Sequence, residues 1–205
     1  MRIQLPNREN CLPMIIFISG PPGSGKTTAA QFLSARLQNC AEFESSSCLR
    51  SALRWMLAIP YESDPFSPQN KDKPMVELGN LTPRQAMIKL VENYMKPLFG
   101  TEVMGAVIVR QMSKSIWTHA IVSGLGFDVE AHAIIRAHRG RQFECLQLMR
   151  QDHSFENDSR DFLDCSALGI RRVSVSNNFG LDMFEEQIDR VCNTWKAGPR
   201  NPRAS

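Results

Sequence analysis

Gly20-Pro21-Pro22-Gly23-Ser24-Gly25-Lys26-Thr27 is the stretch that most restricts what this chain can become. It matches G-x-x-x-x-G-K-[ST], the pattern of a loop that wraps phosphate. A polyphosphate needs several backbone N–H donors converging on it. A glycine-rich turn at a helix N-terminus presents them at close range. Gly20, Gly23, Ser24 and Gly25 supply the turn, Lys26 is placed to reach β- and γ-phosphates, Thr27 to ligate Mg²⁺, and Thr28 to face an α-phosphate. The run before it, Met14 to Ser19, is short, apolar and β-branched, so it reads as a buried strand. Ala29, Ala30, Leu33 and Leu37 then recur at helical spacing. Strand, glycine loop and helix in that order give the context in which the motif is a binding loop rather than a chance turn.

The rest of the chain repeats the alternation. Strands are expected at 41–44, 119–123, 143–149 and 171–176, and helices at 26–37, 129–138 and 181–195. Between the second and third strands lies a stretch without a convincing strand. There Ser45 to Ser47 can cap a helix over 49–59, and Pro60, Pro65, Pro68 and Pro74 make 60–80 a long loop. Thr82-Pro83-Arg84-Gln85 has the form of a capping box opening a helix that should end near 94 or 95, ahead of Pro97. A further helix is expected over 101–113. Residues 151–167 read as a mobile polar loop or short helix, and 198–205 as a disordered tail. The pattern predicts one α/β domain: a three-layer P-loop NTPase fold with a mostly parallel sheet of about five strands. Its core would be 14–44 and 117–196, with a helical acceptor-binding insertion at 45–116 and a lid-like segment at 150–168.

Composition narrows the function class. The chain has 205 residues, 42 % of them hydrophobic and 22 % charged, which is ordinary for a globular domain. No apolar run approaches the roughly 20 residues of a membrane helix, and no secretion signal is visible, so a cytoplasmic location is expected. A net charge of +3 does not by itself call for nucleic acid as a partner. The six cysteines show no C-x-x-C pair, so free structural thiols are expected.

Phosphate chemistry also needs a carboxylate to position Mg²⁺ and cations for developing charge. The strand at 119–123 runs into Gly124, and the first acids after it are Asp128 and Glu130; Glu44 ends the short second strand. Cations are available at Lys71, Lys73, Arg84, Arg150 and Arg160, and His153 follows in a polar loop.

Taken together, these residues resemble the bacteriophage deoxynucleoside monophosphate kinases, in the nucleoside monophosphate kinase branch of P-loop proteins. Lys71-Asp72-Lys73 with Leu78 to Gln85 is similar to that family's lysine and T-P-R-x element. Ile121 to Glu130 is similar to its strand with D-V-R-F-x-N-E, Leu148-Met149-Arg150 and His153 to Glu156 to its strand-end arginine and H-x-S-E, and Val175 to Asn178 to its late strand and asparagine. The resemblance covers roughly 14–195. It implies phosphoryl transfer from ATP, with Mg²⁺, to a deoxynucleoside monophosphate. Lys26, Arg84 and Arg150 would act as catalytic groups, and Lys71, Arg84, Glu130 and Arg160 would bind substrate. Small-molecule nucleotides are then the expected partners, and a homodimer is a candidate assembly. Two positions depart from the family pattern: Gly124 stands where it has aspartate and Gly126 where it has arginine. Lys96 is the cation in the altered stretch after T-P-R. A nucleotide-binding module with impaired catalysis and a kinase for another small acceptor are the alternatives.

Overall fold

The computed structural model describes residues 13–196 apart from 61, 68 and 157; the tail at 198–205 lies outside them. The six residues of β1 (Met14–Ser19) are all buried and alternate between two apolar layers. Met14, Ile16 and Ile18 pack with Leu33 of α1 (Lys26–Arg36) and with Phe184, Ile188 and Trp195 of α7 (Leu181–Lys196). Ile15 and Phe17 face the other way, against Ile108 of α5 (Val103–Met112) and Ile134 of α6 (Asp128–Ala137). Each fully buried large apolar side chain contributes about 1.5–3 kcal/mol, so one strand fastens both helical layers.

Four more strands complete the sheet: β2 (Cys40–Glu44), β3 (His119–Ser123), β4 (Gln142–Met149) and β5 (Arg171–Ser176). The order is β2-β3-β1-β4-β5 and every pairing is parallel, so the expected mostly parallel sheet is wholly parallel among the described residues. Chain direction across the sheet reverses at β1. Ligands bind outside the strand C-termini at such a switch point, and the glycine loop sits there.

Three expectations about helices change. The helix after β2 is α2 (Ser45–Met56), beginning at the serines rather than after them and ending before Ala58, whose φ is 48°. Ser45 Oγ is occupied elsewhere, donating to Gly124 O at 2.7 Å, so it does not cap. The capping box at Thr82 forms as expected and opens α3 (Pro83–Leu90), but the helix does not stop before Pro97. A π turn over Val91–Met95 leads into α4 (Lys96–Phe99), and Gly100, at φ 89°, ends it. The wide turn lets Pro97 begin a fresh α-helical turn, where its missing N–H and fixed φ are tolerated. The described residues of 151–167 contain no helix. They are tied down: Leu163 N donates to Ser19 Oγ at 3.2 Å, Gln147 Nε2 to Leu163 O at 3.0 Å and Asp164 N to Asp128 Oδ1 at 2.9 Å.

The described residues of 60–80 form a loop, as expected, with a 3-10 turn at Val76–Leu78. Ile59 and Leu78 anchor it, packed with Leu53 and Ala86. Among the described residues, Cys40, Cys48, Cys145 and Cys165 are free thiols. No helix among the described residues is long and apolar enough to cross a membrane.

Candidate active site

The loop between β1 and α1 takes the form its glycines require. Gly23 and Gly25 hold φ of 78° and 100°, a region that side chains avoid. Side chains there would also collide, at 23 with the His153 ring and at 25 with the Asn177 amide. Four loop carbonyls are engaged from outside. Lys26 Nζ donates to Gly20 O (2.6 Å) and Pro21 O (2.7 Å), Arg150 Nη1 to Gly23 O (2.9 Å) and Asn177 Nδ2 to Ser24 O (3.0 Å). With its carbonyls turned to these donors, the loop leads into the first N–H groups of α1, which have no intrahelical acceptor and attract anions. Ser24 Oγ is buried in the loop without a partner.

A cavity of about 410 Å³ opens from this loop toward α2 and α3. Lys26, Thr27, Lys71, Arg84 and Arg160 line its polar part, and Leu49, Met87, Val91 and Phe127 are among its apolar walls. Burial, then the positive charges of Arg160, Arg84 and Lys71, hold Lys26 down at about 8 against an ordinary 10.5, with Asp158 acting in the opposite direction. Positive charges therefore gather beside Lys26, with Asp158 as the opposing charge. Arg84 is held by Asp72, Nε to Oδ1 at 2.7 Å.

Glu130 also lines the cavity, only 3 % exposed, with a single long bond from Gly126 N at 3.4 Å. Burial raises its carboxyl to about 7, with Gly126 N–H and Lys96 acting against the rise. Gly105 fixes its depth, since a Cβ there would fall 2.9 Å from Glu130 Cα and α5 could not approach α6 so closely. Lys96 is not free for a ligand: it pairs with Glu92 at 2.7 Å and lies 3.6 Å from the centre of the Phe127 ring.

Two more carboxylates stand near the loop. Glu44, at the end of β2, faces the cavity and is bound by Arg50 and Ser46. Despite burial, those bonds and the Arg50 charge bring its pKa below the ordinary range. Asp158 accepts from Arg160 through both oxygens, at 2.8 and 2.6 Å. Asp128 lies elsewhere, accepting from Asp164 N.

Arg150 is separated from the other expected cations. It lines a second hollow, also about 410 Å³, with Thr28, Gln151, Asn177, Asn178 and Leu181, on the other flank of the loop. Lys26, Thr27, Lys71, Arg84, Glu130 and Arg160 are brought together around one cavity; Arg150 reaches it only through Gly23 O. Sequence reasoning passed over Arg50, Asp72 and Asp158. Their roles are set by partners, and the only available signal was their nearness in sequence to Glu44, Arg84 and Arg160.

No family model matches the chain, and no curated protein matches it. Among solved structures it is similar to a shikimate kinase from Acinetobacter baumannii, at 11 % identity, 93 % of this chain and 96 % of that one, TM-score 0.46. It is also similar to a thymidylate kinase from Ehrlichia chaffeensis, at 15 % identity, 87 % and 97 % coverage, TM-score 0.40. A gluconokinase from Sinorhizobium meliloti 1021 is similar at 14 % identity, 92 % and 99 % coverage, TM-score 0.39.

Proposed function

We propose that this chain is a kinase that moves the γ-phosphoryl of ATP to a deoxynucleoside monophosphate, giving the diphosphate. The observation that carries the reading is a single cavity joining the Lys26 end of the phosphate loop to Lys71, Arg84 and Arg160, with apolar walls beyond them. Such a site suits a ligand that is phosphate at one end and a flat, largely apolar ring at the other.

In this reading the N–H groups at the start of α1 and Lys26 take the ATP phosphates. The second hollow, between Arg150 and Leu181, receives the rest of that nucleotide. Lys71, Arg84 and Arg160 take the acceptor phosphate, and Leu49, Met87 and Phe127 take its base, with Glu130 at the base's polar edge. The donors near the loop are hard oxygens, Thr27 Oγ and the Glu44 carboxylate, which suit Mg²⁺. Thr27 would hold the ion, with Glu44 as the carboxylate nearby. Bound there, Mg²⁺ neutralises charge on phosphate oxygens. An acceptor phosphate oxygen attacks the γ-phosphorus, the bond to the β–γ bridging oxygen breaks, and ADP leaves. The side chains contribute position and positive charge rather than a strong base.

The test is ADP formation from ATP·Mg²⁺ with each common deoxynucleoside and ribonucleoside monophosphate, with Lys26→Ala as the blank. Turnover that depends on a deoxynucleoside monophosphate and vanishes in the blank is the expected result. ATP binding without acceptor-dependent ADP would leave a binding module with impaired catalysis. One observation favours a second reading, transfer to the hydroxyl of another small acceptor: Glu44 is a carboxylate facing the cavity, where it can take a hydroxyl proton. Turnover with a nucleoside or sugar and none with any monophosphate would select it.

A further inference from the structure

We propose that Gly126 is a built seat for Arg160, which makes Gly126 and Asp158 positioning residues for an arginine that lines the cavity with Lys26. The kinetic part of this inference rests on the phosphoryl-transfer reading; the seat itself does not.

The glycine at 126 is not explained by its backbone. Its φ lies outside the left-handed region that Gly23, Gly25 and Gly124 occupy, so an L-residue fits the local conformation. What excludes a side chain is Arg160. A Cβ built on Gly126 falls within 2.5 Å of the Cβ, Cγ and Cδ of Arg160. Those atoms are the root and stem of the arginine, not its mobile end, so turning a terminal torsion would not relieve the overlap. The segment carrying Arg160 would have to lift.

That segment is held on both sides of the arginine. Asp161 N reaches Gly126 O at 3.5 Å, and Leu163 is bound to Ser19 and Gln147. On the other side, Asp158 Oδ1 accepts from Arg160 N at 3.1 Å and from Nε at 2.8 Å, while Oδ2 accepts from Nη2 at 2.6 Å. The Asp158 side chain is 3 % exposed, so this is a buried brace. The stem therefore lies in a recess made by the absence of a side chain, and the head is clamped by a carboxylate two residues earlier. Arg160 lines the same cavity as Lys26, and its charge acts on Lys26 more strongly than that of any other cation.

The fork geometry of a guanidinium matches a carboxylate and a phosphate alike. Asp158 thus fills, without ligand, the fork that a phosphate would take. Binding exchanges one anion for another on an arginine already in place. The order of events differs from that of a cover that swings in with its arginine: here the arginine is docked first and the ligand displaces Asp158.

The experiment uses the full chain in four forms: wild type, G126A, R160A and G126A/R160A, with D158N as a second probe of the brace. Circular dichroism confirms that each is folded. Phenylglyoxal labelling of Arg160, followed by mass spectrometry without nucleotide, reads the seat directly. Labelling should accelerate several-fold in G126A and in D158N; unchanged labelling in both overturns the seat. Acceptor-dependent turnover and binding of a non-hydrolysable ATP analogue are then measured separately. G126A and R160A should each lose about 100-fold in kcat, the scale of removing one preorganised charge-stabilising donor. Analogue affinity should change much less. The double variant should be no worse than R160A, because both changes remove the same group. Wild-type kcat in G126A, or a double variant whose loss is the product of the two single losses, overturns the positioning role. A wild type with no acceptor-dependent turnover would sink the kinase reading, and the labelling would still decide the seat.

Discussion

Arg150 Nη1 donates to the carbonyl of Gly23 at 2.9 Å, joining the end of β4 to the tip of the phosphate loop. Asn177 does the same for Ser24 from the end of β5. In the proposed reading these bonds occupy loop carbonyls and leave the loop's N–H groups to meet the nucleotide phosphates. Arg150→Ala removes a charged hydrogen bond worth about 1.5–3 kcal/mol, so affinity for a non-hydrolysable ATP analogue should fall at least about tenfold. Calorimetric titration reads this directly; wild-type affinity would show that the loop keeps its shape without the clamp.

Lys26 supplies a prediction in pH. Burial and neighbouring cations hold it near 8 in the ligand-free protein. A bound polyphosphate favours the ammonium and lifts the value again. Nucleotide binding at pH 8.5 should therefore take up protons, and affinity should decline as pH rises above 8. Calorimetry in two buffers of different ionisation enthalpy measures the uptake. Lys26→Arg, charged throughout, should show none. In the absence of ligand the sign is the reverse: the stability owed to this group is lost as pH falls through 8 and regained toward 10.5.

Glu130 titrates in the other range. Its buried carboxyl sits at about 7, above the ordinary 4.5. Stability from such a group is full below 4.5 and lost as pH rises through 7. Glu130→Gln removes the titration, so its stability relative to wild type should improve by roughly 2 kcal/mol between pH 4.5 and pH 8. Urea unfolding at the two values checks it. The same variant should redistribute turnover among acceptor bases, because an amide presents different donors to a base edge than a carboxyl does.

Arg84 is engaged by Asp72, a partner that would compete with an acceptor phosphate in the proposed reading. Arg84→Ala should raise the acceptor KM about 10- to 100-fold, the loss of one charged hydrogen-bonded contact, with ATP affinity little changed. Asp72→Asn should lower the acceptor KM, since its competing charge is gone. Steady-state kinetics with the acceptor varied at saturating ATP distinguishes the two directions. Equal effects of the two substitutions would mean that the pair supports the loop at 60–80 rather than the ligand.

The parts of this architecture legible in the sequence are those written in local periodicity. Five consecutive apolar residues, Met14 to Ile18, before a glycine loop announce β1, and Thr82 with Gln85 announces the start of α3. Lys71, Arg84, Glu130 and Arg160, singled out in the sequence as candidates, line one cavity with Lys26. What escaped is set by encounters across the fold. The role of Ser45 depends on Gly124, which is 79 residues away. The stop expected before Pro97 gave way to a π turn, because packing of Val91 beside Leu49 and Met104 holds the helix together where local propensity would end it. The segment at 151–167 is polar, and polarity alone read as mobility. Its fastening comes from Ser19, Asp128 and Gln147 on three separate core elements.

The Ser45–Gly124 contact also bears on where the chain can carry an acid. Gly124 stands where the resembled family has aspartate, and it holds φ 82° with Ser45 Oγ only 2.7 Å from where a Cβ would sit. Gly124→Asp alone would meet an unfavourable backbone region and a steric conflict with the first residue of α2. An acid would fit at this position only together with a movement of Ser45 and a reshaped turn. Position 124 is thus closed to carboxylates, and any acid that serves the phosphate loop must stand on another element, as Glu44 does at the end of β2.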